Sequence, residues 1–165
     1  MPLIPGTFGS TYHALEEATP PTSESVAAKH FTSAFAKFME VSAAGDAVAV
    51  PTALYSASAM NLFKSAVTAA FKTPPAALLL PALDQAITAY LTAACLAGLF
   101  VSTVSGSATA FTPITPLKTV ALPMFVTNSN DHLTAKTKFG KALRTYLGAG
   151  QVAFPGPPPI TKPIV

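Results

Sequence analysis

Apolar residues recur at spacings of three and four along much of this chain, and this pattern predicts helices. The best-defined stretch begins at Thr22 or Ser23, either of which offers an N-cap, and Gly45 is predicted to end it. Its apolar face consists of Ala27, Phe31, Ala34, Phe35, Phe38 and Met39. We therefore predict an amphipathic helix that packs an aromatic face into the core.

A second helix is predicted from about Ala53 or Ser56 to Lys72. Thr73-Pro74-Pro75 follows it and stops it, because proline cannot continue the helical hydrogen-bonding pattern. Its predicted buried face comprises Met60, Phe63, Val67, Ala70 and Phe71.

The third predicted helix is the most apolar one and forms the centre of the core. It begins near Pro81, since proline is tolerated in a first turn, and runs to about Phe100. Apolar residues lie nearly all around it, and the broad predicted face comprises Leu83, Ile87, Tyr90, Leu91, Ala94, Cys95, Gly98 and Leu99.

The last predicted helix begins at Asn130 or Asp131 as N-cap and ends at Gly148 or Gly150. Its predicted inward residues are Leu133, Phe139, Ala142, Leu143, Tyr146 and Leu147.

Proline-rich and irregular segments separate and flank these helices. Residues 1–21 and 149–165 are predicted to be extended N- and C-terminal arms, because prolines interrupt both. Residues 101–130 lack helical periodicity and are predicted to form a long irregular excursion over the helices. Its expected hydrophobic anchors are Phe111, Ile114, Leu117, Leu122, Met124 and Phe125. The fold class is therefore mainly α: a bundle of about four helices within residues 22–148, with two extended arms.

The composition changes the expected function more than the expected fold. At 165 residues the chain fits one domain, yet half of its residues are apolar and only 10% are charged. So few charges leave little polar material to cover the surface, which favours apolar surface shared with a partner. We expect the two extended arms and residues 101–130 to bind adjacent copies or other structural proteins. The alternative is that the apolar excess comes from alanine, which is only weakly hydrophobic.

Candidate catalytic and metal-binding residues are scattered. His13, His30 and His132 lie in different segments without metal-ligand spacing, and Glu16-Glu17 point in different directions. No phosphate-binding, dinucleotide or nucleophile-elbow motif is present in the sequence. The sequence thus predicts a non-enzymatic protein with no catalytic residue, cofactor, metal or small-molecule substrate.

Two isolated residues, Asp84 and Cys95, stand in apolar stretches of the sequence. Asp84 is the only charged residue between Lys72 and Lys118; it is either a tuned acid or a residue in the first turn of the third helix that faces water. Cys95 is the only cysteine and is expected to behave as a small buried hydrophobic residue. For Asp84 the water-facing position is the favoured interpretation.

One basic cluster stands in the last predicted helix, formed by Lys136, Lys138, Lys141 and Arg144. A solvated helix face is favoured over a phosphate or acidic-protein contact. The net charge of +3 does not imply specific nucleic-acid binding.

The charge-free segment 87–104 raises a membrane alternative. As one helix it would span much of a bilayer, although its Thr, Ser and Gly residues and the absence of flanking Trp count against this. The N-terminus has no basic and apolar pattern of a secretory signal. A buried helix followed by a polar loop is the favoured interpretation.

The order of features resembles small structural proteins of tailed bacteriophages. The resemblance rests on the helix AAKHFTSAFAKFME, on the Pro-Pro break before an Ala-rich apolar helix, and on KFGKALRTYL followed by GPPP. It implies a virion protein of the head, connector or tail, assembled in the host cytoplasm from copies of itself or other structural proteins. It transfers no role to any residue.

Overall fold

The computed structural model describes residues 3–73, 75–126, 131–156 and 158–165, without the side chains of Ala76, Phe125 and Val126. Asn130, the alternative N-cap, the predicted anchor side chain of Phe125, and Pro2, Pro74 and Pro157 of the proline-rich segments fall outside this description. The protein is mainly helical, at 62% helix, as the sequence predicts.

Seven helices lie within the described residues. They are α1 (Pro5–Ala18), α2 (Glu24–Met39), α3 (Pro51–Leu54), α4 (Ala57–Phe71), α5 (Ala76–Leu96), α6 (Leu117–Val126) and α7 (His132–Ala149). Helices α2, α4, α5 and α7 correspond to the predicted ones. The Ser23 side chain caps α2 by accepting from the N–H of Val26, and the Asp131 side chain caps α7.

Short antiparallel strands fill the connections. They are β1 (Ala43–Ala44), β2 (Ala47–Val48), β3 (Val101–Ser102), β4 (Gly106–Ser107), β5 (Ala110–Thr112), β6 (Gln151–Phe154) and β7 (Ile160–Lys162). β1 pairs with β2, β3 pairs with β4, and β5, β6 and β7 form a sheet in that order. Single bridges from Ala49 to Phe100 and from Ala44 to Ile164 connect these pieces.

The core is built largely from the helical faces that the sequence predicts, although Leu133 of α7 is 37% exposed. Phe31, Phe35 and Phe38 of α2 are buried, and so are Phe63 of α4 and Leu91 of α5. The Phe63 ring stacks on the Tyr90 ring, with 4.2 Å between centroids and 8° between planes. Helix α5 packs against α3, α4, α6 and β5, but one side of it is exposed, so the core does not surround it as predicted.

The predicted N-terminal arm is wrong. Residues 5–18 form helix α1, which packs against α2 and α7 and buries Phe8 completely. Pro5 stands in the first turn, where its missing N–H costs nothing. Gly9 lies so close to Thr137 of α7 that a Cβ there would come within 2.6 to 2.9 Å of it. Tertiary packing therefore outweighs the poor helix propensity of this segment.

The C-terminal segment, residues 149–165, does not project as an arm either. After α7 it forms β6 and β7, and Val165 exchanges two backbone hydrogen bonds of 2.9 Å with Ala43. The segment is held because its backbone groups find partners in the domain's own strands.

The long excursion, residues 101–130, has more regular structure than predicted. It contains β3, β4, β5 and helix α6, which tolerates Pro123 in its interior. Phe111 and Leu117 are buried as expected of anchors, whereas Ile114 is 62% exposed. Two boundaries also differ: α5 begins five residues before Pro81, and Gly45 forms the β1–β2 turn with φ +66° instead of ending α2.

Candidate functional site

Asp84 joins three helices and does not face water in a first turn, so that prediction is wrong. It lies inside α5 and accepts a 2.8 Å hydrogen bond from the backbone N–H of Leu117, the first residue of α6. It also accepts a 2.6 Å hydrogen bond from the hydroxyl of Tyr146 in α7, which stands 3.1 Å from the hydroxyl of Thr88. A negatively charged carboxylate at a helix N-terminus interacts favourably with the positive end of the helix dipole. The presence of a carboxylate at position 84 is thus explained by its structural role in joining α5 to α6 and α7.

The histidines are not brought together. The Nε2 atom of His13 lies 3.3 Å from Oε1 of Glu17 in α1. His30 is buried in α2 and its Nδ1 has no hydrogen-bond partner. His132 is exposed at the start of α7. Among the described residues, no group of three or more His, Cys, Asp or Glu side chains is placed to hold a metal ion.

Cys95 is completely buried in α5, as the sequence predicts. Burial raises the pKa of its thiol to about 12, because the thiolate would lose its hydration. The thiol is therefore protonated and unreactive at physiological pH.

The basic cluster of α7 is divided between two surroundings. Lys136 forms an ion pair with Glu16 of α1 and lies 5.1 Å from the centre of the Tyr12 ring. Its side chain is only 13% exposed, so the predicted solvated face does not include it. Lys141 and Arg144 are exposed, beside Pro5 at the start of α1.

An aromatic pocket opens beside Lys136. It has a volume of about 230 Å³ and lies where α1, α2, α5 and α7 meet the end of α4. Five aromatic rings contribute to its wall, and the complete lining is Phe8, Tyr12, Phe31, Phe71, Leu79, Leu83, Ala135, Lys136 and Phe139. The pocket and its Phe8 and Tyr12 wall were not predicted, because both residues lie in the segment that the sequence predicts to be an extended arm. The sequence did contain one signal for helix α1: Phe8 and Tyr12 are four residues apart and follow Pro5, which is suited to the first turn of a helix.

A second feature is the outer face of α5, which we call the α5 stripe: Leu78, Gln85, Ala89 and Leu96. All four residues are exposed, and Leu78 and Leu96 are exposed by 56% and 70%. Their spacing of seven, four and seven residues places them on one side of the helix. An open groove runs beside part of the stripe and is bounded by Pro113.

The α5 stripe carries no charge. The single charged residue of α5 is Asp84, whose carboxylate is turned toward Leu117 and Tyr146. The stripe is therefore an exposed, uncharged helix face with a leucine at each end and Gln85 and Ala89 between them.

The predicted membrane segment 87–104 is not a single helix, because α5 ends at Leu96 and β3 begins at Val101. By length and composition, one helix among the described residues, Ala77–Leu96, is long and apolar enough to cross a bilayer. The core helix of a soluble protein meets the same criterion.

No family model, no curated protein and no solved structure matches this chain.

Proposed function

We propose that this protein is a non-enzymatic structural subunit that assembles with copies of itself through the α5 stripe. The observation that carries the proposal is the exposure of Leu78 and Leu96 at the two ends of an uncharged helix face. Burying such a face against another protein surface removes apolar area from water without burying an unpaired charge.

The α5 stripe is suited to pairing with itself. Its exposed residues are symmetric about position 87, so that a two-fold axis there would bring Leu78 against Leu96 of the second copy and Gln85 against Ala89. Eighteen residues of helix give a contact about 27 Å long. Small Ala89 lies near the centre and lets two helices approach closely. Because no residue of the stripe is charged, no charge meets its own copy across the axis.

This proposal changes the expected mechanism of assembly. The sequence suggested that extended arms bind neighbouring subunits, but α1 and the C-terminal strands pack onto their own domain. Apolar surface burial, without arm exchange, is therefore the mechanism that we propose. The resemblance to tailed-phage proteins makes a virion component of the head, connector or tail the particular form of the proposal.

The test is the mass in solution of the full-length chain without detergent, measured by size-exclusion chromatography with light scattering. We expect a defined multimer, which Leu96→Glu converts to monomer because two introduced carboxylates would be buried in the contact. The control is Leu62→Glu, since Leu62 is a leucine of α4 with a similar exposure of 69%. A wild-type monomer, or equal effects of both substitutions, would contradict self-assembly through α5.

Cross-linking tests the antiparallel register directly. A Leu78→Cys chain mixed with a Leu96→Cys chain is expected to form disulfide-linked dimers under mild oxidation, because the two positions face each other across the contact. Each cysteine chain alone is the control and should cross-link less. Linkage of Leu78→Cys to itself as the dominant product would indicate a parallel pairing instead.

A second candidate function is membrane association, favoured by the length and apolarity of helix Ala77–Leu96. Flotation of the purified chain with phospholipid vesicles distinguishes the two proposals. Binding to vesicles that depends on Leu78 and Leu96, in a chain that is monomeric without lipid, would favour the membrane.

A further inference from the structure

We propose that the aromatic pocket between α1 and α7 binds a small, uncharged, apolar molecule about the size of one substituted aromatic ring. This inference is independent of assembly through α5, because none of the pocket's lining residues belongs to the α5 stripe. It assigns a ligand class to a feature that the assembly proposal does not use.

The size of the pocket sets the size of the ligand. Protein interiors are close-packed, and voids larger than a water molecule are few. A dry cavity of about 150 Å³ lined by apolar side chains accommodates benzene. The aromatic pocket, at about 230 Å³, has room for a single ring with a substituent or for two fused rings.

The walls of the pocket are held in place by the core. Phe8, Phe31 and Leu83 are buried. The centroids of the Phe8 and Phe31 rings are 5.5 Å apart, and the rings are arranged edge to face. The Tyr12 and Phe71 rings stand at 88° and 85° to the Phe31 ring. A planar ligand would therefore meet both ring faces and ring edges, which are the favourable geometries for aromatic contacts.

The charges at the pocket exclude an ionic ligand. Lys136 is the only lining residue that is charged, and it is already paired with Glu16. Burial, and then the nearby charge of Glu16, raise the pKa of the Tyr12 hydroxyl, so this group stays neutral. A ligand carboxylate would compete with Glu16 for Lys136, and a ligand cation would find no unpaired anion among the lining residues. An uncharged ligand loses the least hydration on entry.

Indole is a suitable probe, because the protein contains no tryptophan and indole emission is therefore free of tryptophan background. We expect a saturable blue shift of indole emission on titration with the full-length protein, and a higher Tm in the presence of indole. Indole-3-acetate, which carries a carboxylate, should bind at least tenfold more weakly. Non-saturable uptake of indole, or equal binding of both probes, would overturn the proposal.

Substitutions that fill the pocket locate the bound probe. Ala135 lines the pocket from an exposed position of α7, so Ala135→Phe is expected to occupy the space and abolish the blue shift. The matched control is Ala69→Phe on the exposed side of α4, which should bind indole like the wild type. Helix content measured by circular dichroism verifies that both variants fold.

A second substitution that fills the pocket and a direct measurement of the indole position complete the test. Leu79→Phe reduces the same volume from α5 and should also weaken indole binding at least tenfold. In wild-type protein, nuclear Overhauser contacts from indole protons should reach Phe31 and Phe139. Contacts that reach only residues outside the lining, or unchanged binding by folded Ala135→Phe and Leu79→Phe, would place indole elsewhere and overturn the proposal.

Discussion

The hydroxyl of Tyr146 donates a 2.6 Å hydrogen bond to the carboxylate of Asp84, and that carboxylate also accepts from the backbone N–H of Leu117. Helices α5, α6 and α7 therefore meet at one acidic side chain. The contact explains why an otherwise charge-free stretch of sequence contains an aspartate. Its loss should loosen α6, which has Pro123 in its interior and depends on tertiary contacts.

Replacement of Asp84 by Ala should lower the free energy of unfolding by about 1–3 kcal/mol, because the Leu117 N–H and the Tyr146 hydroxyl lose a charged acceptor. Tyr146→Phe removes one of the two hydrogen bonds and should cost about 1 kcal/mol. Urea denaturation followed by circular dichroism measures both values. The control is Glu17→Gln, which changes a carboxylate that is 70% exposed and should shift stability by less than about 0.5 kcal/mol. An Asp84→Ala variant as stable as this control would contradict the structural role.

Two glycines of α7 should respond in opposite directions to alanine. A Cβ at Gly140 would overlap the carbonyl oxygen of Pro5 in α1, so Gly140→Ala should destabilise the protein although alanine favours helix. Gly148 is the matched control, because its Cβ would meet only the Ile164 carbonyl at 3.6 Å. Gly148→Ala should stabilise by up to about 1 kcal/mol. Chemical denaturation of both variants checks the close contact of α1 with α7, and stabilisation by both would argue against it.

Three of the four tyrosines should make the protein unstable to alkali. Burial is the main cause that raises the pKa of Tyr12, Tyr90 and Tyr146 above the ordinary value of about 10, whereas Tyr55 is 45% exposed. Because the folded pKa values are the higher ones, their contribution to stability is complete below pH about 10 and is lost as the pH rises further.

Ultraviolet absorbance at 295 nm and circular dichroism, recorded together from pH 8 to 13, test this prediction. We expect little tyrosinate from Tyr12, Tyr90 and Tyr146 until the helical signal is lost, and Tyr146→Phe should reduce the loss of stability with pH. Gradual ionisation of more than one tyrosine per chain near pH 10 in a folded protein would be inconsistent with the burial of these three.

Cys95 should resist thiol reagents in the folded protein. Its thiol is buried, and its pKa of about 12 leaves little thiolate at pH 8. We expect labelling by 5,5′-dithiobis(2-nitrobenzoate) to be at least a hundredfold slower without urea than with it. An exposed cysteine introduced by Ser107→Cys serves as the control and should react at once in native protein. Rapid native labelling of Cys95 would mean that α5 opens frequently.

The helical core was predictable because its signals are local. Phe31, Phe35 and Phe38 repeat at helical spacing, Ser23 and Asp131 are good N-caps, and the most apolar stretch became the long helix α5. Each of these features depends on residues within one or two turns of helix, so the chain itself carries the information.

The candidate sites depended on contacts between distant segments. Pro5, Gly6 and Gly9 argue for an arm, yet Phe8 reaches the core and Gly9 and Gly140 let α1 approach α7 closely. The aromatic pocket exists only because of that contact, since Tyr12 and Phe139 belong to opposite ends of the chain. No local pattern encodes such a meeting.

The sequence by itself determined the helical class, the position of four helices and a shortage of charge for covering the surface. The tertiary structure decided that residues 5–18 are helical, that residues 151–154 and 160–162 complete a sheet, and that Asp84 is a junction of three helices. The physical reason is that propensity and periodicity are local and amount to about 1 kcal/mol or less per residue, whereas burial of a Phe side chain contributes about 1.5–3 kcal/mol. Where long-range burial opposes a local preference, burial prevails.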